Sequence, residues 1–246
     1  MDAALRAGVA LYNAGEYHTA HDPWEERGLA LDDGTADERF LHGLVQVTAA
    51  IHHARRRNWS GATGLAASAR DYLADLGDRH RGVDLDPVRH WLDALAADPA
   101  VIERRPPPPL RHDGVAVGLD DLRFEATALA AAALAETHDF EPAVVDRATT
   151  FRREEVAGGE RSKFTSTLFA FVTAGAERPL VYRRLAAHVE RRDREHADVD
   201  GLFDDGLRSD PRERVRERRE EHEPHQNERD ELLTIHANPF GSREEY

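Results

Sequence analysis

The strongest helical pattern in the chain begins at Phe40 and reads Phe40-Leu41-His42-Gly43-Leu44-Val45-Gln46-Val47-Thr48-Ala49-Ala50-Ile51-His52-His53. Apolar residues recur along it three and four positions apart, which is the spacing of one face of an α-helix. This pattern predicts a helix over residues 37–57. Its C-terminal end carries three arginines, where the helix dipole favours cations. The face predicted to point inward consists of Leu41, Leu44, Val45, Thr48, Ile51 and His52.

A polar segment precedes this helix and reads Tyr17-His18-Thr19-Ala20-His21-Asp22-Pro23-Trp24-Glu25-Glu26. It predicts a second helix from about Glu16 to Leu31. Pro23 is unfavourable inside that helix, because it lacks an amide donor and clashes with the preceding turn. Two interpretations therefore remain open. The helix begins near Asp22, which then caps it with Pro23 in the first position, or it kinks at Pro23.

Helical periodicity continues on both sides of a proline run at residues 106–109, and no useful length of chain alternates with period two. The sequence therefore predicts an all-α protein with essentially no β-sheet. We expect a helical bundle over residues 1–102, a proline-rich linker over 103–114 and a second helical module over 115–205. The acidic composition of residues 206–246 predicts a charged, mostly disordered tail.

The charge composition points to a saline environment. The formal net charge is −14, and the 33 basic residues include one lysine, Lys163. Acidic, alanine-rich chains with almost no lysine are typical of salt-loving microbes. In concentrated salt a dense acidic surface repels itself little, because screening is short-ranged. The same acidity argues against nucleic-acid binding, which usually requires a basic face.

The sequence also limits the chemistry and the compartment. Cysteine is absent, so thiolate chemistry and disulfides are excluded, and any metal would need histidine or carboxylate ligands. The chain has no run of 18 apolar residues, and its first residues do not begin a signal peptide. We therefore expect a cytoplasmic protein that does not act on membranes.

Five of the 14 histidines lie between Gly15 and His53, on the two helices predicted first. Helical geometry places His18, His21 and Glu25 on one face. On the next helix His42, Gln46 and His53 fall within about 40° of one another. If the two faces meet, imidazoles, a carboxylate and a carboxamide converge. The pocket candidates are His21, Glu25, Gln46, His53, Trp24 and His42.

Two kinds of chemistry fit this set. His21, Glu25 and His53 could bind a divalent metal, or one of them could act as a general base while Gln46 holds a water or a substrate group. Ordinary structural roles fit as well. The His21–Glu25 pair could be a simple hydrogen-bonded pair, Trp24 a packing residue and His52 a core histidine. His18 and His42 could be solvated. No tight metal-binding signature such as His-Glu-x-x-His occurs.

The sequence resembles a known family, the small all-helical domain of unknown function family numbered 309, over about residues 2–80. The resemblance rests on these runs: Tyr12-Asn13-Ala14-Gly15-Glu16-Tyr17, Ala20-His21-Asp22-x-Trp24-Glu25, Phe40-Leu41-x-Gly43-Leu44-x-Gln46, His53 and Asn58-Trp59-x-Gly61-Ala62. It implies a compact helical fold and a shared polar cluster at His21, Glu25, Gln46 and His53, without an established activity. This chain departs from the family pattern at Asp22–Pro23 and at His42.

Two functions remain open on the sequence. In the first, which we favour, the chain is a non-catalytic interaction or regulatory module, and the polar cluster is a buried hydrogen-bond network that fixes the helix register. In the second, it is a metal-dependent, hydrolase-like enzyme that uses the cluster. The partner is then an unknown protein or small molecule, and the chain could form a homo-oligomer.

Overall fold

The computed structural model describes the backbone of residues 2–207 and the side-chain surroundings of residues 2–198. This part of the chain contains nine α-helices, which confirms the predicted all-α class. The predicted tail over residues 206–246 lies almost wholly outside the described residues. The helices are α1 Ala3–Asn13, α2 Tyr17–Leu29, α3 Ala36–Arg55, α4 Trp59–Leu73, α5 Asp86–Ala97, α6 Phe124–Thr137, α7 Pro142–Ala157, α8 Lys163–Thr173 and α9 Arg178–Leu207.

The first five helices pack against their neighbours in sequence, with the most extensive packing between α3 and α4. Many of the side chains at these interfaces are alanines, such as Ala50 and Ala54 on α3 and Ala62 and Ala66 on α4, all of which are buried. Small side chains let helix backbones approach closely. At Gly43 a β-carbon would lie 2.6 Å from a Leu73 methyl group, so only glycine fits that contact.

The helix α2 is continuous from Tyr17 to Leu29 and contains Pro23 in its interior. The interpretation in which the helix begins at Asp22 is therefore wrong. Pro23 and Trp24 are both buried, and Trp24 lies against α1, where Gly8 leaves room for the indole ring. Burial of this pair offsets the cost of an interior proline at least in part, because a fully buried large side chain contributes about 1.5–3 kcal/mol.

A small antiparallel sheet, which the sequence did not predict, joins two hairpins. Its strands are β1 Arg79–His80, β2 Val83–Asp84, β3 Arg111–His112 and β4 Val115–Ala116, in that order across the sheet. Each strand has two residues, too short for a period-two pattern. The signal lay in the turns: Arg81-Gly82 and Asp113-Gly114 both have positive φ at both residues, as tight type I′ hairpins require.

The two hairpins have nearly the same sequence, Arg79-His80-Arg81-Gly82-Val83 and Arg111-His112-Asp113-Gly114-Val115. Val83 pairs with His112 in the register that joins them, and the amide of Asp113 donates to the Gly82 carbonyl over 2.8 Å. The hairpin tips therefore lie side by side.

Residues 2–192 form one compact unit, and the described residues from 193 to 207 belong to a second one. The predicted linker, residues 103–114, lies within the first unit. Asn13 on α1 hydrogen-bonds to this segment and to the residues that follow it. Its side chain donates to the Leu110 and Val117 carbonyls and accepts from the Leu110 amide, all at 2.8–2.9 Å. Helix α6 packs on α1 and α2 as well as on α7 and α8. Whether residues 1–102 and 115–205 can fold separately stays a prediction.

No helix among residues 2–207 is long and apolar enough to cross a membrane.

Candidate functional site: a histidine cleft between two helices

Four histidines from two helices surround a cavity of about 170 Å³ between α2 and α3, which we call the histidine cleft. The ring centroids of His18 and His52 are 5.6 Å apart, and those of His52 and His53 are 5.9 Å apart. At about 30 Å³ per molecule, the cavity has room for about five waters or one small ion. The cleft is lined by His18, His21, Thr48, Ala49, His52 and His53.

Helical spacing explains why these residues meet. His18 and His21 are three residues apart and share one face of α2, while Thr48 and His52 are four apart on α3. Ala49 is small and leaves space between the helices. Thr48 is buried, and its hydroxyl donates to the Val45 carbonyl over 2.7 Å. That hydroxyl is therefore already engaged with the backbone of its own helix.

Asn58 orients His53. The Asn58 carboxamide caps α4, because its Oδ1 accepts from the amide of Gly61 over 3.2 Å. Its Nδ2 then faces His53 and donates to Nδ1 of the ring over 2.7 Å. An Nδ1 that accepts a hydrogen bond carries no proton, so the neutral His53 ring is protonated on Nε2.

Burial and nearby cations act on His52. Burial lowers the pKa of this imidazole below its ordinary value, and the charges of Arg56, His18 and His53 lower it further. Neighbouring Asp22, on α2, is half buried, and burial raises the pKa of its carboxyl, although His21 and His18 partly oppose that rise. The cleft therefore holds His52 as a neutral ring near neutral pH.

A second hollow of about 280 Å³ adjoins the cleft and shares His18 and His52 with it. Arg55 and Arg56 line this hollow, and the Arg55 guanidinium lies over the Tyr17 ring, 4.5 Å from its centroid. Glu16 is the carboxylate in the lining. Its oxygens lie 3.5 Å from a His138 nitrogen and 3.6 Å from an Arg178 nitrogen, so its charge is already balanced.

The structure brings together two of the six predicted pocket residues. His21 and His53 both line the cleft. Glu25 lies 3.5 Å from His21 Nε2, but more than half of its side chain is exposed and it does not line the cavity. Gln46 is half buried and does not line the cavity either.

Trp24 and His42 lie elsewhere. Trp24 is fully buried, and its Nε1 donates to the Leu5 carbonyl over 3.4 Å, so it packs α2 on α1. His42 stacks on Tyr72, with ring centroids 4.7 Å apart, and its Nδ1 lies 3.2 Å from Glu38. Trp24 faces α1 and His42 faces α4, so neither side chain points into the cleft between α2 and α3.

The cleft contains two residues outside the predicted pocket set, His18, for which a solvated position was open, and His52, for which a core position was open. His52 is half buried and lies at the cavity instead of in the core. The signal was present: His18 shares a face with His21, and His52 lies one turn after Thr48. Helical phase alone could not tell which stripe of α3 faces α2.

The predicted metal ligands His21, Glu25 and His53 do not form a ligand set in this arrangement. Among the described residues, no group of three or more histidine, aspartate or glutamate side chains is placed to hold a metal ion. Zinc–nitrogen bonds are about 2 Å long, so the imidazoles would have to move inward to share one ion.

Comparison with known families gives one match, to the first helices. Residues 5–65 match the model of a domain of unknown function, DUF309. The resemblance read from the sequence is thereby confirmed for this segment. The DUF309 segment runs from α1 into α4 and contains all six residues that line the histidine cleft. The two hairpins and helices α5–α9 lie outside it. No curated protein matches the chain.

Proposed function

We propose that this chain is a non-catalytic binding module whose histidine cleft takes up a small anion. The observation that carries the proposal is the lining of the cleft: it contains four imidazoles and no carboxylate, in a chain whose formal net charge is −14. Arg55 and Arg56 in the adjoining hollow add two positive charges near the same place. Imidazoles that can take up protons, next to two arginines at one point of an acidic protein, favour an anionic ligand.

The cleft is better suited to binding than to catalysis. A histidine acting as general base activates a hydroxyl, a thiol or a bound water. The lining supplies no nucleophile of its own, because the chain has no cysteine and the Thr48 hydroxyl donates to a backbone carbonyl, so a histidine base here would have only a bound water to activate. The alternative of a metal-dependent hydrolase needs three ligands that converge, and His21, Glu25 and His53 do not converge here.

Proton uptake would make this module responsive to pH. An anion between the rings stabilises the imidazolium form, so binding is accompanied by proton uptake. Affinity then increases as the pH falls through the range in which the rings titrate. We propose that the regulatory role inferred from the sequence works in this way, with anion occupancy and histidine charge linked.

Sulfate is a suitable probe, because it stays a dianion between about pH 5 and 8. We expect titration of the full chain with sodium sulfate at pH 6 to shift the ring signals of His18, His21, His52 and His53 in NMR spectra, with a dissociation constant of about 1 mM. Sodium chloride at matched ionic strength is the control for screening.

A variant pair separates the cleft from general charge effects. His52→Gln should weaken sulfate binding at least fivefold. His90→Gln should leave it unchanged, since His90 is exposed on α5 and lies outside the cleft. Equal shifts with sulfate and chloride, or equal effects of the two variants, would refute the proposal. Zinc that binds at one equivalent to these rings, without any sulfate binding, would support the metal alternative.

A further inference from the structure

A larger cavity of about 550 Å³ lies away from the histidine cleft, where the two hairpin tips meet the ends of α1, α2 and α3. We call it the hairpin pocket. Its volume lies within the range of small-molecule sites, about 300–1,000 Å³. Four apolar side chains form part of its wall, and two of them, Phe40 and Leu41, are buried on α3. The apolar set is Leu5, Leu31, Phe40 and Leu41.

The two hairpin tips bring opposite charges to the same pocket. Arg81 and Asp113 occupy the same position in their turns, each after a histidine and before a glycine, and both line the pocket. The contact between the Asp113 amide and the Gly82 carbonyl holds the tips together. His112 lies over Gly82 so closely that a β-carbon there would be 2.4 Å from the ring, so this site needs glycine.

The remaining charges in the lining are arranged as pairs. Arg27 Nε donates to Asp2 over 3.0 Å, and Arg81 donates from both Nε and Nη2 to Asp37. Among the described residues, Arg81 Nη1 has no hydrogen-bond partner. The Asp113 carboxylate lies 3.3 Å from His112 Nδ1 and is two-thirds exposed. One donor group and one carboxylate therefore remain available at the rim, on the two tips.

We propose that the hairpin pocket binds a small zwitterion with an apolar body, of the apolar α-amino acid class. The ammonium group lies at Asp113, the carboxylate at Arg81 Nη1, and the apolar side chain against Phe40 and its neighbours. A ligand with only a negative group would pair with Arg81 Nη1 but leave the Asp113 carboxylate without a ligand partner. A ligand with only a positive group would leave Arg81 Nη1 unused. A head group that carries both an ammonium and a carboxylate pairs with Asp113 and with Arg81, and neither charge is left unpaired.

This pocket differs from the proposed anion site in residues and in ligand. Its polar groups on the hairpin tips lie outside residues 5–65, whereas the histidine cleft lies wholly within them. The inference therefore does not depend on the anion-binding proposal.

Leucine and three fragments of it test the proposal on the full chain. We expect L-leucine to bind saturably and to shift backbone amide signals of Arg81, Gly82 and Asp113 in NMR spectra. Glycine lacks the apolar body, 4-methylpentanoate lacks the ammonium group and 3-methylbutylamine lacks the carboxylate. Each of these should bind at least tenfold more weakly than leucine. Sulfate in the same experiment should shift the cleft histidines instead.

A charge-matched pair of variants supplies the control. Asp113→Asn removes an exposed carboxylate from the rim and should weaken leucine binding at least fivefold. Asp146→Asn removes an exposed carboxylate from α7, outside the pocket, and should leave binding unchanged. The proposal is wrong if leucine does not bind at about 20 mM, if glycine or the amine binds as well as leucine, or if both variants bind leucine equally.

Discussion

Asn58 Nδ2 lies 2.7 Å from His53 Nδ1, and the same carboxamide caps α4 through its other atom. One side chain thus couples the start of a helix to the proton position on a histidine of the cleft. The helix cap decides which end of the amide faces the ring, and the amide decides which ring nitrogen carries the proton.

Asn58→Asp should reverse the protonation of His53 while leaving the cap in place. Aspartate caps helices as well as asparagine does, but both its oxygens accept. The ring should therefore carry its proton on Nδ1 and donate it to the new carboxylate. The two nitrogen chemical shifts of the ring report this directly. An unchanged proton position in the variant would show that Asn58 does not orient His53.

Gly8→Ala should destabilise the protein by about 2–3 kcal/mol, because a rigid ring cannot yield to the added carbon. The new β-carbon would lie 2.2 Å from Trp24 Nε1. Gly64→Ala is the matched control, also within a helix but with no atom within 4 Å of the added carbon. It should stabilise the protein by about 0.5–1 kcal/mol. Urea unfolding measures both. Similar effects at the two sites would rule out close packing at Trp24.

Asp37 links α3 to the first hairpin, and its effect on stability depends on pH. Hydrogen bonds from Arg81, with His80 also donating, lower the pKa of this carboxyl to about 2. A pKa lowered in the folded state means that the unfolded chain takes up the proton first. The stabilisation is therefore complete above about pH 4 and is lost as the pH falls from there toward 2.

Asp37→Asn should cost about 1 kcal/mol at pH 7, a value reduced for the partial exposure of the pair. Asp75→Asn breaks a pair with Arg39 in which the carboxylate is 79% exposed, and it should change stability by less than about 0.5 kcal/mol. The difference between the two variants should vanish near pH 2. A stability difference that persists near pH 2 would show that the ionised Asp37 carboxylate is not its cause.

Asn13 should be essential for the position of the proline-rich segment. Its side chain makes three hydrogen bonds to Leu110 and Val117, so Asn13→Asp would place a carboxylate against two carbonyl oxygens. We expect a loss of about 2–3 kcal/mol and fast hydrogen exchange at the Leu110 amide. Asn13→Ala, which removes the bonds without adding repulsion, should lose less. Slow exchange at Leu110 in both variants would mean that the segment is held in another way.

Much of the helical fold could be read from the sequence, because local periodicity carries it. The helix from Ala36 to Arg55 was predicted within two residues at its C-terminal end and one at its N-terminal end. The sequence predicted a helix from about Glu16 to Leu31 but could not decide whether it begins near Asp22 or runs through Pro23, since that depends on burial against α1. The hairpins were missed because two-residue strands leave no pattern, although the repeated Arg-His-x-Gly-Val run and the Asp-Gly turn were visible.

Part of the candidate site could be predicted from the sequence. Helical phase placed His21 near His18 and His53 near the same region. It could not show which stripe of α3 faces α2, and so it favoured Gln46 and His42 over Thr48 and His52. That choice depends on how the two helices are rotated about their axes, which distant contacts determine. The hairpin pocket was beyond reach, because its lining comes from residues more than 100 positions apart.

The titration of His52 with and without sulfate tests the proposed function most directly. Without sulfate its pKa should lie below the ordinary histidine value, because burial and neighbouring cations disfavour the charged ring. Saturating sulfate should raise that pKa, while sodium chloride at equal ionic strength should raise it much less. A His52 pKa that sulfate leaves unchanged would contradict anion binding in the histidine cleft.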